Sequence, residues 1–262
     1  MMNYQDKVVC FLDILGFKKH VNDTIVRGGE EDLERTDHLF KVFNLIRDIL
    51  DIDRAEERFG TEVTQFSDCV VISFRCTAES GVFYALLDIM LVQVNLARND
   101  ILCRGGVALG KLVHTPKVLF GPGMVNAYEL ESKAAVYPRV ILDESIIQLG
   151  IEVHGAHNRP DQEANSIMNL LKKDSDGMYY VDYITVAQQE LDDPEFDYPE
   201  YLSKLQKIVA EGLTQKDPSI RIKYQWLKEK LQPHINDIKS YVAKELPEGN
   251  NLREAYASIP DL

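Results

Sequence analysis

Apolar runs alternate with amphipathic stretches along the first 187 residues. An apolar run at 7–15 precedes a stretch at 39–50 whose apolar residues recur at helical spacing. Two β-prone segments, TEVTQF and CVVISF, then flank Ser67 and Asp68, polar residues that suit a tight turn. The pattern predicts a strand, a helix and a β-hairpin, in that order.

The following segments continue this alternation. The stretch 80–99 predicts an apolar helix with Ser80 as its N-cap, and ILCRGGVALGKLVH predicts a strand whose glycines permit close backbone approach. The segments VNAYELESKAA and ESIIQLG predict helices, and RVILD and MYYVDYI predict strands. Such an order predicts an α/β fold, an α+β sandwich with helices flanking one sheet.

The composition changes after Ala187. The segment QQELDDPEFDYPEYL is acidic and interrupted by prolines, which predicts a connector, and the segments beyond it predict helices with mixed charged faces. We therefore expect a main domain over 1–187 and a helical extension over 188–262 that packs on it.

Charge and cysteine usage narrow the possible functions. The 262 residues carry a net charge of -13, which argues against long nucleic acids because their binding draws on Lys and Arg. The four cysteines show no metal-ligand spacing and are expected to be reduced core residues rather than zinc ligands. Without a signal peptide or an apolar run of about 18 residues, we expect a cytoplasmic protein that does not enter membranes.

One carboxylate interrupts the first apolar run. A buried, unpaired charge costs several kcal/mol, so Asp13 needs a partner. A strand next to the hairpin would bring Asp13 close to Asp68, and two neighbouring carboxylates suit Mg²⁺ or Mn²⁺ in a two-metal site. Alternatively, Asp68 is only a turn residue and Arg104 pairs with Asp13. Sequence spacing alone does not decide between these two interpretations.

Four motifs resemble the class III nucleotidyl cyclases, in the family's order. FLDILGF resembles the first metal motif, and FSDCVVISF resembles the hairpin motif, with Ser67 in place of a glycine. CRGGVALGKLVH resembles the Arg-x-Gly-x-x-x-Gly strand, and FGPGMVNAYELES resembles the Gly-x-x-Val-Asn helix start. The resemblance covers residues 7 to about 185 and implies a ferredoxin-like central sheet flanked by helices.

Within that superfamily, FLDILGF, RGGVALG, AYELES and YPRVILD resemble the Pycsar-type pyrimidine cyclases of antiphage defence. This resemblance implies a homodimer with sites at the interface that converts UTP or CTP to a 3′,5′-cyclic monophosphate. The product would act through a separate effector that senses cyclic nucleotides. We expect UTP as the substrate, with a cytidylate cyclase as the alternative.

The resemblance also implies roles for single residues. Asp13 and Asp68 match the two catalytic metal aspartates, and Ile14 matches a position whose backbone carbonyl contacts a metal ion. Thr64 stands where cyclases that make cyclic AMP carry a lysine, which disfavours ATP. Four residues are candidates for binding the substrate: Thr64, Gln65, Tyr128 and Lys111.

The helix start departs from the family pattern. In one register Asn126 replaces the transition-state asparagine and Leu130 stands where an arginine is expected. In the other register Val125 and Glu129 occupy these positions, so the arginine is absent from both. Candidate replacements are four basic residues: Arg104, which is favoured, Lys111, Lys133 and Arg139.

Two rival classes follow from these departures. A catalytically silent, cyclase-like module that binds nucleotide or a partner would share the fold and tolerate the missing arginine. A two-metal nuclease or polymerase-palm relative would also carry paired carboxylates, but the acidic composition argues against it.

Overall fold

The computed structural model describes residues 3–51 and 60–262. Within these ranges a single mixed sheet runs through the molecule in the order β2-β3-β1-β4-β6-β8-β7, with β5 paired to β4 alone. The strands are β1 (Gln5–Ile14), β2 (Glu62–Phe66), β3 (Cys69–Arg75), β4 (Cys103–Thr115), β5 (Val118–Phe120), β6 (Val140–Leu142), β7 (Leu171–Lys173) and β8 (Tyr179–Val181).

Helices pack on both faces of the sheet. They are α1 (Phe17–Asn22), α2 (Leu33–Ile49), α3 (Gly81–Arg98), α4 (Pro122–Lys133), α5 (Glu144–Glu152), α6 (Pro160–Asn169), α7 (Pro194–Leu213), α8 (Pro218–Glu245) and α9 (Asn251–Ala257). The predicted α/β sandwich is confirmed. The pattern failed to predict α1, α6 and β7, which are short or carry few apolar residues.

The four strands β2, β3, β1 and β4 are antiparallel and follow the order of a ferredoxin-like sheet. In this order β1 lies between β3 and β4, and both neighbours pair along most of its length. β6 extends the sheet in parallel to β4. The central position of β1 explains why its sequence is almost continuously apolar.

Successive residues of β1 point to opposite faces of the sheet. Val8, Cys10 and Leu12 lie in the larger core, together with buried side chains of α3 and α7. Val9 and Phe11 lie in a smaller core on the other face, which α4 partly covers. Asp13 continues the second series and therefore lies on the face that carries α4.

Two glycines of β4 allow α4 to lie directly against the sheet. A Cβ at Gly106 would lie 2.6 Å from the carbonyl oxygen of Ala127, and one at Gly110 would lie 2.5 Å from the Cα of Gly123. Both distances are shorter than any carbon contact tolerates, so larger residues would push α4 away. The predicted close approach of another backbone to the glycines of this strand is confirmed, and the approaching element is α4.

Two local predictions were wrong. The acidic segment after Ala187 is largely helical, because α7 begins at Pro194, which suits a first helical turn, and buries Tyr198 and Tyr201 in the core. Ser80 does not cap α3 with its side chain but adopts a left-handed backbone conformation. The proposed boundary between residues 187 and 188 stays a prediction.

The apolar helix α3 is 18 residues long with a mean hydropathy of 1.3, so by length and composition it could cross a membrane. It also has ten buried residues, among them Leu86, Ile89 and Met90, in the larger core. The prediction that no apolar run reaches this length was wrong. A core helix passes the same test, because burial in a protein selects the same side chains.

A buried polar cluster joins α8 to the sheet. The Asp174 carboxylate accepts hydrogen bonds from Arg139 Nη1 at 2.6 Å, Trp226 Nε1 at 2.7 Å and Lys230 Nζ at 2.5 Å. Burial favours a higher pKa for Asp174, but the bonds from Lys230 and Trp226 outweigh it and lower this pKa to about 2. The ionised carboxylate thus fixes the first half of α8.

We predict that Asp174→Asn destabilises the protein by about 3 kcal/mol, because it leaves buried cationic donors without their charged acceptor. Urea denaturation at pH 7 measures this change. The control Asp161→Asn removes an exposed ion pair with Arg159 and is expected to cost at most about 1 kcal/mol. Equal stability losses in the two variants would contradict the role of the cluster.

Candidate active site

Asp13 lies near the end of β1, and among residues 3–51 and 60–262 its ion-pair partner is Arg104. Arg104 Nε donates a hydrogen bond to Asp13 Oδ2 at 3.1 Å and lies 2.6 Å from Glu131 Oε1. The N–H points at Asp13, so Glu131 makes a charge contact without hydrogen-bond geometry. The Arg104 guanidinium therefore pairs with two carboxylates, those of Asp13 and Glu131.

Asp68 approaches Asp13 from the turn between β2 and β3. Ser67 has a φ of 54°, a left-handed conformation that glycine adopts more easily, so the serine preserves the tight turn. The backbone N–H of Ile14 donates to the carbonyl oxygen of Asp68 at 3.0 Å, which fixes the turn against the strand end. The Ile14 side chain itself is buried in the larger core.

Asp13, Asp68 and Cys69 could together hold a metal ion. One ligand atom from each lies within 4.8 Å of the other two, and all three residues are partly buried. Burial, followed by the charge of Asp68, raises the pKa of the Cys69 thiol to about 12, so it is a neutral thiol. The two carboxylate groups supply oxygen donors, which fit hard divalent ions.

Glu131 is a site residue that the sequence did not reveal. It lies on α4, is 2% exposed, and faces Arg104 because Gly106 lets α4 approach the sheet. Burial raises the pKa of Glu131 to about 7, an effect that the Arg104 charge opposes and the Asp13 charge increases. The one sequence signal for this contact was the glycine pair Gly105–Gly106, which predicts that another element lies close to β4 but does not identify Glu131.

Electrostatics around Asp13 favour binding of a cation. Burial raises the pKa of Asp13, the Arg104 hydrogen bond and charge lower it, and the Asp68 charge raises it again. The net effect is a raised pKa for Asp13, so its ionised form is less stable here than in water. A positive ion between Asp13 and Asp68 would relieve both burial and repulsion.

The hairpin candidates Thr64 and Gln65 point to opposite faces of the sheet. Thr64 pairs with Val71, which lies on the Asp13 face, whereas Gln65 pairs with Val70 in the larger core. The Thr64 hydroxyl is 2.9 Å from His114 Nε2. Of the two, only Thr64 shares a face with Asp13.

Tyr128 lies next to the Asp13 face. Its ring is half exposed and packs edge-on against Phe11, two residues before Asp13, at a centroid distance of 5.5 Å. The tyrosine can therefore present a flat apolar surface to a ligand bound at this face.

Asn126 and Lys111 lie away from Asp13 within one chain. Asn126 Nδ2 donates to the carbonyl of Leu109, whose strand partner is Val8, about 17 Å along β1 from Asp13. Lys111 Nζ lies 3.2 Å from Asp6, farther still along β1. One chain thus does not bring these two candidates to the aspartates.

The remaining candidate cations have other partners. Lys133 forms an exposed ion pair with Glu129 at 2.7 Å. Arg139 is 1% exposed and pairs with Asp174 and Asp176, so it stabilises the buried cluster at α8. The proposal that Arg139 replaces the missing arginine is wrong, because its guanidinium does not reach a ligand without leaving the core.

His114 links the site face to a buried polar cluster. Its Nδ1 lies 2.8 Å from Ser73 Oγ, and Lys7 Nζ donates to the same hydroxyl at 3.4 Å. Burial lowers the pKa of His114 to about 4, and the Lys7 charge adds to this effect. The neutral imidazole is thereby held between Thr64 and Ser73.

We predict that His114 makes the protein less stable as the pH falls from about 6.5 to 4. In this window the unfolded histidine binds a proton and the folded one does not, which costs up to about 1.4 kcal/mol per pH unit. Urea denaturation at pH 7 and pH 5 should show a smaller loss for His114→Gln than for the unchanged protein. The exposed His157→Gln is the control, and an unchanged loss in His114→Gln would contradict this assignment.

Comparisons with known proteins give distant structural neighbours only. No protein-family model matches the chain, and no curated protein matches it. A bacterial light-regulated adenylyl cyclase is similar over 56% of this chain and 45% of its own, with 18% identity and a TM-score of 0.36. A class III adenylyl cyclase-like ATP-binding protein from Pseudomonas aeruginosa is similar over 72% of this chain and 41% of its own, with 14% identity and a TM-score of 0.38. The chain spans less than half the length of each neighbour.

Proposed function

We propose that the chain is a nucleotidyl cyclase that converts UTP to 3′,5′-cyclic UMP and pyrophosphate. The observation that carries the proposal is the pair Asp13 and Asp68, held close together at the junction of β1 and the hairpin turn. These two carboxylates, with the neutral thiol of Cys69 beside them, fit Mg²⁺ or Mn²⁺. Such ions, when bound, would lower the pKa of the ribose 3′-hydroxyl and neutralise the triphosphate.

In the proposed reaction the 3′-oxygen forms a bond to the α-phosphorus as its proton passes to solvent. The bond from that phosphorus to the bridging oxygen breaks, and pyrophosphate leaves with the electron pair. Asp13 and Asp68 would hold the cations, and Arg104, which also contacts Glu131, orients Asp13. The chemistry depends on position and charge rather than on a covalent intermediate.

The preference for a pyrimidine is part of the proposal. Thr64 takes the position at which cyclases that make cyclic AMP carry a lysine, and its hydroxyl, next to His114, can form one more hydrogen bond. Tyr128 supplies a flat surface next to Phe11. Uracil and cytosine differ at one donor and acceptor edge, so a cytidylate cyclase is the alternative within this class.

A homodimer would complete the site. Asn126 is distant from Asp13 within one chain, so a second chain is the proposed source of this side chain. Exposed apolar side chains on the hairpin tip and α4 support an interface there: Phe66 is 77% exposed, Val125 55% and Tyr128 51%. Cytoplasmic location, signalling through an effector and the role in antiphage defence depend on the family resemblance.

A silent nucleotide-binding module is the second candidate. The observation that favours it is the pairing of Arg104 with Asp13 and Glu131, which leaves this guanidinium committed rather than free for a transition state. Such a module would bind UTP with Mn²⁺ and release no cyclic product.

We predict that the purified chain with Mn²⁺ forms cyclic UMP when it is offered UTP, CTP, ATP and GTP together, with products identified by mass. Asp13→Asn and Asp68→Asn should each lower the rate about 100-fold or more without unfolding the chain, because each removes a charge needed in the transition state. Asp37→Asn, at an exposed carboxylate paired with Lys41, is the matched control and should keep full activity.

Each other outcome of this experiment has a defined meaning. Cyclic product from ATP alone would refute the pyrimidine preference. Nucleotide binding with no cyclic product from any nucleotide would refute the cyclase and favour the silent module. Full activity in Asp13→Asn would refute the assignment of the metal-binding carboxylates.

A further inference from the structure

A pocket opens at the turn that follows Asp13, between the end of β1 and the hairpin formed by α7 and α8. Its walls include Leu15 and Gly16 from the turn after β1, Leu102 before β4, and Lys223 and Tyr224 from α8. The turn after Asp13 is thus one wall of the pocket, and the C-terminal helices form the opposite wall. A ligand at the aspartates could extend into this space.

Lys223 carries a positive charge into this pocket. It is half-buried, and in the described ranges 3–51 and 60–262 it has no ion-pair partner within 4.0 Å. Its pKa is lowered, first by burial and then by the Arg104 charge, whereas Asp13 and Glu131 act in the opposite direction. Lys223 therefore belongs to the same electrostatic cluster as the proposed active site, although it is far from that site in sequence.

Packing fixes the position of Lys223. Tyr224 lies against Gly212 of α7 so closely that a Cβ at Gly212 would be 2.0 Å from the tyrosine ring. Trp226, less than one helical turn further on, donates its hydrogen bond to Asp174. These two anchors hold the first turns of α8 against the main sheet, so the backbone that carries Lys223 has a fixed position beside the pocket.

Most other charges near the pocket are already paired. Lys19 binds Asp23 at 2.5 Å, and Asp100 binds Lys204 at 2.7 Å. Glu211, on α7, lies at the exposed side of the pocket. Lys223 is thus the cation of this pocket that has no carboxylate partner among the described residues.

We infer that Lys223 binds the terminal phosphates of the nucleotide and the departing pyrophosphate, so that the C-terminal helices supply a residue of the active site. The inference rests on the proposed function, because it assigns the leaving-group end of that same site. A lysine suits this task as a point charge for phosphate oxygens. Lys223 forms and breaks no covalent bond, and it stabilises the negative charge that the leaving pyrophosphate gains.

The test measures pyrophosphate binding directly, by calorimetry in the presence of Mn²⁺. The unchanged protein should bind pyrophosphate, and Lys223→Met should bind it at least about tenfold more weakly, the effect of one lost charged contact. Lys228→Met, on the same helix but outside the pocket, is the matched control and should bind normally. Lys223→Arg, which keeps the charge, should retain most of the affinity.

Equal pyrophosphate affinity in Lys223→Met and the unchanged protein would overturn the inference, as would a loss in Lys228→Met of the same size. Thermal unfolding of each variant confirms that the compared proteins are folded. If Lys223→Met does not fold, the inference depends on Lys223→Glu and Lys223→Arg, which should bind pyrophosphate weakly and well, respectively.

Kinetics separate this inference from the proposed function. In an active cyclase, Lys223→Met should raise KM for UTP and weaken inhibition by pyrophosphate by similar factors. If the unchanged protein makes no cyclic product but binds pyrophosphate through Lys223, the cyclase proposal fails and the phosphate site stands. If Lys223→Met cyclises UTP with an unchanged KM and unchanged inhibition, only the phosphate site fails.

Discussion

The burial of Asp13 at the end of the central strand is the constraint on which the site depends. β1 is paired on both sides and its residues from Val8 to Ile14 are apolar apart from Asp13, so the strand holds this carboxylate in a fixed position with little access to water. A charge in that position needs a cation, and Arg104 from the neighbouring strand supplies one. Asp68 and Glu131 lie next to that pair.

The charges at this edge do not balance within the protein. Asp13, Asp68 and Glu131 are three carboxyl groups, and Arg104 is the guanidinium that contacts two of them. The pKa of Glu131 is raised, first by burial and then, against the opposing Arg104 charge, by the Asp13 charge, so a third negative charge is disfavoured here. Bound divalent ions would make the net charge at this edge positive, and this positive charge would then attract a triphosphate. Lys223, on the far side of the pocket, fits the end of such a ligand.

Local signals in the sequence predicted most strands of the sheet and the closeness of Asp13 to Asp68, but did not decide whether Asp13 pairs with a metal ion or with Arg104. The apolar runs fixed the strands, and Ser67 with Asp68 marked the hairpin turn that brings the second carboxylate to the first. Glu131 and Lys223 could not be found in this way, since their role comes from packing between distant elements. Glu131 reaches the site because glycines let α4 approach, and Lys223 because Asp174 and Trp226 anchor α8. The errors at Ser80 and in the acidic segment have the same origin: tertiary packing overrode a local preference.

The central claim is that Asp13 and Asp68 jointly bind divalent cations, and anomalous diffraction from crystals grown with Mn²⁺ and a 3′-deoxy analogue of UTP tests it most directly. The analogue lacks the attacking hydroxyl and therefore cannot cyclise. The account predicts manganese peaks in contact with carboxylate oxygens of both aspartates, and their loss in crystals of Asp68→Asn. Manganese bound elsewhere, or no manganese while Asp13 stays paired with Arg104 alone, would contradict the account.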